Sequence, residues 1–156
     1  MLLGRYGYSV NESYLQYEFE SEGPNGIVRK VVLYQYMKTA DYVDHYNLAF
    51  GDVDKLTGKL KDLSVSNNKD RNKILATVAA TALEFSNHFP GCRIYARGSD
   101  LVRTRLYQMG IAANFEEINK YFLVKGEDVE KGWVFFRPGI NYLAFLATRK
   151  IYTIFN

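Results

Sequence analysis

Residues 96–107, Ala-Arg-Gly-Ser-Asp-Leu-Val-Arg-Thr-Arg-Leu-Tyr, hold the densest chemistry of the chain. A β-like segment ends there, Gly98 and Ser99 make a small-residue turn, and a helix-like segment begins, with Arg97, Arg103 and Arg105 around the junction. Backbone N–H groups at a helix start have no intrahelical partner, and the positive end of the helix dipole adds to their pull. Guanidinium groups beside such a start favour an anion. The expectation is a binding site for a phosphate-bearing ligand, RNA, DNA or a nucleotide, formed by Arg97, Gly98, Ser99, Arg103 and Arg105, with Tyr95 or Tyr107 offering a ring to a base. The competing use of the same residues is internal, with Arg105 tying its helix to an acid on the sheet.

Other reactive groups are sparse. His45 lies near Asp41 and Asp44, where a base is conceivable in type, while His88 sits at a helix end and is expected to meet the last carbonyls. Neither histidine has a His or Cys at ligand spacing, so a metal site is not expected. Ser99 lacks a Gly-x-Ser-x-Gly elbow and suits helix capping. Cys92 is the single cysteine and begins an apolar strand candidate, which points to a buried inert thiol and no disulfide.

Composition bounds the frame that must position these groups. With 156 residues, 47% hydrophobic and 24% charged, the chain suits one soluble domain spanning 1–156. The formal charge of +3 is too mild to define a nucleic-acid binder, but its distribution is uneven. Between Arg93 and Arg105 the only acid is Asp100, whereas acids gather in the first third of the chain. The apolar run from Ile74 to Phe85 is broken by Thr and Glu, well short of the roughly 20 residues a bilayer span needs. With no signal-like N-terminus, the expectation is a cytoplasmic protein with no membrane partner.

Periodicity then sets the elements. Leu15, Tyr17 and Phe19 alternate with Gln16, Glu18 and Glu20 as in a half-solvated strand, and Gly23-Pro24-Asn25-Gly26 turns it into a second, Ile27 to Met37. Tyr46–Phe50 and Leu60–Ser66 supply further strands. Apolar residues at Ile74, Leu75, Val78, Ala79, Ala82, Phe85 and Phe89 keep helical spacing, with Asn68 or Asp70 as cap and Pro90-Gly91 as stop. Cys92–Ala96 is the next strand. Ser99 or Asp100 caps a second helix with Leu101, Leu106 and Met109 inward and Gly110 as its C′ residue. Asn114 and Glu117 open a short helical turn, with Ile111 and Ile118 as a staple. Tyr121–Lys125 and Trp133–Arg137 are strands, Asn141–Arg149 fits helix or strand, and Ile151–Phe155 suits a closing strand or packed tail. The order predicts an α+β fold, a mainly antiparallel sheet with two principal helices, with a parallel pairing where the first helix crosses between strands.

Ser21–Pro24, Asn47–Asp52, Ser66–Asn68, Leu75–Ala79, Arg103–Tyr107 and Met109–Ile111 carry a resemblance across the whole chain to an uncharacterised bacterial domain-of-unknown-function family. That resemblance implies no activity. From Tyr14 to Arg137 the element order is also similar to the GNAT acyltransferase fold, in which antiparallel strands precede a helix that meets the pyrophosphate of coenzyme A. Many GNAT enzymes carry Leu-Tyr shortly before Gly-Phe on the second core helix, and Leu106-Tyr107 with Gly110-Ile111 approximates this. What this likeness implies is coenzyme A as cofactor and Tyr107 as general acid toward its thiolate. The chain departs from the pattern in a shorter Tyr107-to-Gly110 spacing, in Ile111 replacing an aromatic residue, and in the absence of glycine from Ser66 to Arg71. A third class of function is an interaction module, one half of a toxin–antitoxin pair or a homodimer, using the apolar surface of Trp133–Phe136 and Tyr152–Phe155.

Overall fold

The computed structural model describes residues 4–54, 56–62 and 69–150. In chain order its elements are β1 (Ser9–Val10), β2 (Gln16–Gly23), β3 (Gly26–Ala40), β4 (Val43–Val53), β5 (Leu60–Asp62), α1 (Arg71–His88), β6 (Arg93–Ala96), α2 (Leu101–Ala113), α3 (Phe115–Tyr121), β7 (Phe122–Asp128), β8 (Gly132–Phe135) and β9 (Phe145–Arg149). All of the strands join one sheet in the order β1-β2-β3-β4-β6-β9-β7-β8, with β5 on β4. The fold is α+β, and among the described pairings only β4 with β6 is parallel.

The β2–β3 hairpin follows from local chemistry. Tyr17, Phe19 and Ser21 alternate inward, and Pro24-Asn25 forms the two-residue turn that pairs Gly23 with Gly26. β3 and β4 run longer than their apolar cores suggest, because each satisfies the other's backbone from Lys30↔Asp52 to Ala40↔Val43 across one register shift. A parallel return to β6 requires a crossover, and α1 supplies it.

The helices lie on one face of the sheet. Phe85 of α1 stacks on Tyr34 of β3 at 4.2 Å and meets Tyr46 of β4 at 5.2 Å. Residues of α1, α2 and α3 also line, together with β4, β6, β7 and β9, one apolar cavity of about 100 Å³. The opposite face carries Gln16, Glu18, Glu20 and Gln35, and an edge-to-face pair of Tyr95 and Trp133 at 6.2 Å.

Three local expectations change and one open stretch is decided. Gly110 does not end α2, which continues to Ala113. A Cβ at Gly110 would lie 2.9 Å from Leu75 Cβ, so the glycine lets α1 and α2 approach. Leu101 and Met109 are exposed, and the buried positions of α2 are Thr104, Tyr107, Gln108 and Gly110: Gln108 accepts from the Tyr142 N–H and Thr104 from the Gly98 N–H, while Tyr107 and Gly110 line the apolar cavity. His88 does not bond the terminal carbonyls; its exposed ring stacks on Tyr14 at 3.5 Å. Of the stretch Asn141–Arg149, Phe145–Arg149 forms the strand β9, inserted between β6 and β7, and Asn141–Ala144 is irregular. The remainder of the strand expected over Leu60–Ser66, the Asn68 cap and the closing segment Ile151–Phe155 lie outside the described residues.

Candidate functional site: the carboxyl end of the parallel strand pair

β4 and β6 run side by side from His45↔Arg93 to Leu48↔Ala96 and then part. β6 leaves the sheet at Arg97, while the far end of β4 turns to β5 beyond Val53↔Leu60. The crossover helix α1 and the following helix α2 both start toward this end of the sheet, α1 over β2, where Asp70 meets Ser21, and α2 directly after β6, so one helix N-terminus stands at the carboxyl end of the parallel pair. Neither helix has an acid in its first turn; α1 carries Arg71 and Lys73 there, and α2 carries Arg103.

The three arginines of the turn have different surroundings. Arg97 is exposed and has no charged or hydrogen-bonded partner among the described residues. Arg103 pairs its guanidinium with the Asp100 carboxylate one turn earlier. Arg105 donates from Nη1 to the carbonyl oxygen of Tyr142 at 2.9 Å. It ties the helix to the sheet side as expected of an internal role, but through a main-chain carbonyl in place of an acid.

Asp100 is the N-cap of α2. Its Oδ1 accepts from the Arg103 backbone N–H at 2.8 Å, and that bond, aided by the Arg103 guanidinium, holds the carboxyl below its usual range. The protein thus places its own carboxylate at the helix start. Ser99 is exposed just before it. Gly98 is buried against the first turn of α2: its N–H donates to Thr104 Oγ1 at 3.1 Å, and a Cβ there would lie 2.3 Å from Thr104 N. Its glycine identity is therefore set by this close approach.

Tyr107 points away from the turn. Its side chain is 7% exposed and lines the apolar cavity with Gly110 and Ile111. The ring of Tyr95 lies on the opposite, helix-free face beside Trp133. The arrangement leaves Arg97 and Ser99 exposed, holds Arg105 half-buried, and keeps Gly98 and Tyr107 inside.

Several polar groups escaped sequence reasoning. Lys30 is 2% exposed and ion-paired with Asp52, whose side chain is 14% exposed. Its place at an inward position of β3, two residues before Val32, is the signal that betrays it. Asp70 at the start of α1 caps nothing with its side chain; Oδ2 accepts from Tyr6 Oη at 2.6 Å and Ser21 Oγ at 2.5 Å. Burial, with the bond to Asp70 second, pushes the Tyr6 phenol up. His45 is buried, with Nδ1 3.0 Å from the carbonyl oxygen of Val43. Cys92 is a half-buried free thiol raised by burial. No group of three or more His, Cys, Asp or Glu among the described residues could hold a metal ion. No helix among them is long and apolar enough to cross a membrane.

The molecule is thus an α+β protein with an open, nine-stranded sheet and a cationic strand-to-helix turn at the parallel β4–β6 pairing. The chain belongs to a family of unknown function, DUF6934, which matches residues 3–150 and agrees with the resemblance drawn from the sequence. No curated protein and no solved structure matches it.

Proposed function

We propose that this protein binds a phosphate-bearing ligand, a nucleotide or RNA, at the carboxyl end of the β4–β6 pair. Arg97 is the contacting cation, Ser99 is a hydroxyl donor, and the start of α2 supplies positive potential. The observation that carries the reading is Arg97 itself, exposed just ahead of the α2 N-terminus with no acid paired to it among the described residues. Asp100 opposes the ligand, which makes the site one of modest affinity.

Titration with ATP and with a labelled single-stranded RNA, at two salt concentrations, tests this. Binding weakens with salt, and Arg97→Ala reduces the salt slope by about one. Asp100→Asn keeps the cap and removes the opposing charge, so affinity rises. Unchanged binding in both variants refutes the site.

A GNAT-like acyltransferase using coenzyme A is the second reading, favoured by Tyr107 lying against the apolar cavity. It requires coenzyme A to raise the melting temperature and Tyr107→Phe to abolish transfer. An interaction role, with a second copy or a toxin–antitoxin partner, is supported by Phe135, 64% exposed on the edge strand β8. Sedimentation of the native protein and of Phe135→Ser tests it.

A further inference from the structure

The helix layer is incomplete over β9. Of the residues lining the cavity there, Ala79, Ala82, Ala96, Ala147 and Gly110 are the small ones, and together they leave about 100 Å³ unfilled. Protein interiors rarely keep voids larger than a water molecule. Tyr107 is the only lining residue whose side chain carries a polar atom, so a water would lack the two to four partners it needs. A dry void of about 150 Å³ holds a six-carbon ring, and by proportion this one accepts about four carbons.

The cavity has a rim. Ala147 faces inward, opposite the buried Ile94 and Val124, yet it keeps partial exposure, which marks an opening between α1 and α3. Two residues further along the same side of β9, about 7 Å away, stands Arg149. Its Nη1 donates to Ser86 Oγ at 2.8 Å and Asn87 Oδ1 at 2.6 Å, near the end of α1, and its guanidinium lies 5.7 Å from the ring of Tyr121, the last residue of α3. These partners are neutral, and no Asp or Glu pairs with Arg149 among the described residues. The dipole at the end of α1 offsets only about half a charge. A cation with no acid partner among the described residues thus stands two residues along β9 from the rim of a hydrocarbon-sized hole.

We propose that this is a binding site for a short aliphatic carboxylate, with its chain in the cavity and its carboxylate on the free edge of the Arg149 guanidinium. The site lies at the amino end of β6, since Arg93 pairs with Thr148, and so at the opposite end of the sheet from Arg97. It goes beyond the phosphate reading and does not depend on it.

Methyl-labelled full-length protein titrated with hexanoate, hexanol and acetate decides the matter. Hexanoate gives saturable shifts at the methyl groups of Leu75, Ile94, Ile111 and Ile118; acetate, with no chain, gives none. Hexanol binds at least about tenfold more weakly, as expected for loss of a charge-assisted hydrogen bond. Arg149→Gln lowers hexanoate to the level of hexanol and leaves hexanol unchanged, and Ala147→Leu blocks both. Equal affinity for hexanoate and hexanol in the native protein overturns the proposal, as does the absence of saturable shifts or undiminished binding in a folded Ala147→Leu variant. Should Arg149→Gln fail to fold, the comparison of the two ligands on the native protein still decides.

Discussion

Arg105→Ala separates the internal from the external use of the arginine turn. In the native protein Arg105 Nη1 reaches the Tyr142 carbonyl at 2.9 Å; its approach to Gln108 Oε1, at 3.5 Å, adds little. Truncation removes one hydrogen bond from a charged donor and leaves a buried residue's carbonyl without it, which amounts to about 1.5–3 kcal/mol. For a chain of this length each kcal/mol moves the melting temperature by roughly 2–4 °C, so the expected fall is roughly 3–12 °C. The neighbouring pair of Arg103 and Asp100 is half-exposed, with side-chain exposures of 33% and 49%, so Arg103→Ala leaves the melting temperature nearly unchanged. Arg105→Lys does not rescue, because the shorter lysine side chain does not bring its ammonium to where Nη1 meets the carbonyl. Thermal and urea denaturation measure the stability, and ATP titration measures the site. A variant Arg105→Ala that keeps its stability but loses ATP refutes the assignment, since the guanidinium would then belong to the ligand.

Two further outcomes follow from buried groups. Asp52→Asn leaves Lys30 charged and enclosed, and destabilises by about 3–5 kcal/mol in urea, whereas Lys30→Met with Asp52→Leu returns near native stability; an Asp52→Asn loss below about 1 kcal/mol contradicts this. Burial, with Glu84 second, raises the Tyr8 phenol to about 12, and burial raises Tyr17 and Tyr34 further. Because these folded values exceed the unfolded one near 10, their contribution is full below pH ~10 and is lost as the pH rises through the folded values. A phenolate absorbance titration should show these rings ionising together with alkaline unfolding; independent, non-cooperative ionisation near pH ~10 would sink the assignment.

Much of the frame was legible because strand and helix periods are local. The alternation of Tyr17 and Phe19, the Pro24-Asn25 turn and the spacing from Ile74 to Phe89 state their own elements, and Asp100 declares the start of α2. What failed depended on partners distant in the chain. Gly110 looks like a helix terminator until Leu75, on another helix, is placed against it. Asp70 looks like a cap until Tyr6 and Ser21 compete for the same oxygen. The inward side of α2 could not be read from hydrophobicity, since Thr104 and Gln108 are buried there on main-chain partners.

The site illustrates the same limit in one dimension further. Arg103 and Arg105 are adjacent in the sequence pattern, but residues two apart on a helix point to different sides. One therefore folds back along the helix to Asp100, while the other crosses to Tyr142. Clustering of charge along a chain becomes clustering in space only where the backbone is extended or turning, and here that condition holds for Arg97 alone, which leaves β6 before α2 begins. The same geometry explains why the cation at the other end of the sheet, Arg149, passed unnoticed. Its strand gives it no charged neighbour in sequence except Lys150, and its significance comes from three elements, α1, α3 and β9, that meet only in the folded protein. A cation without an acid partner is informative when the surrounding groups are neutral and a cavity adjoins it, and among these arginines Arg149 meets both conditions.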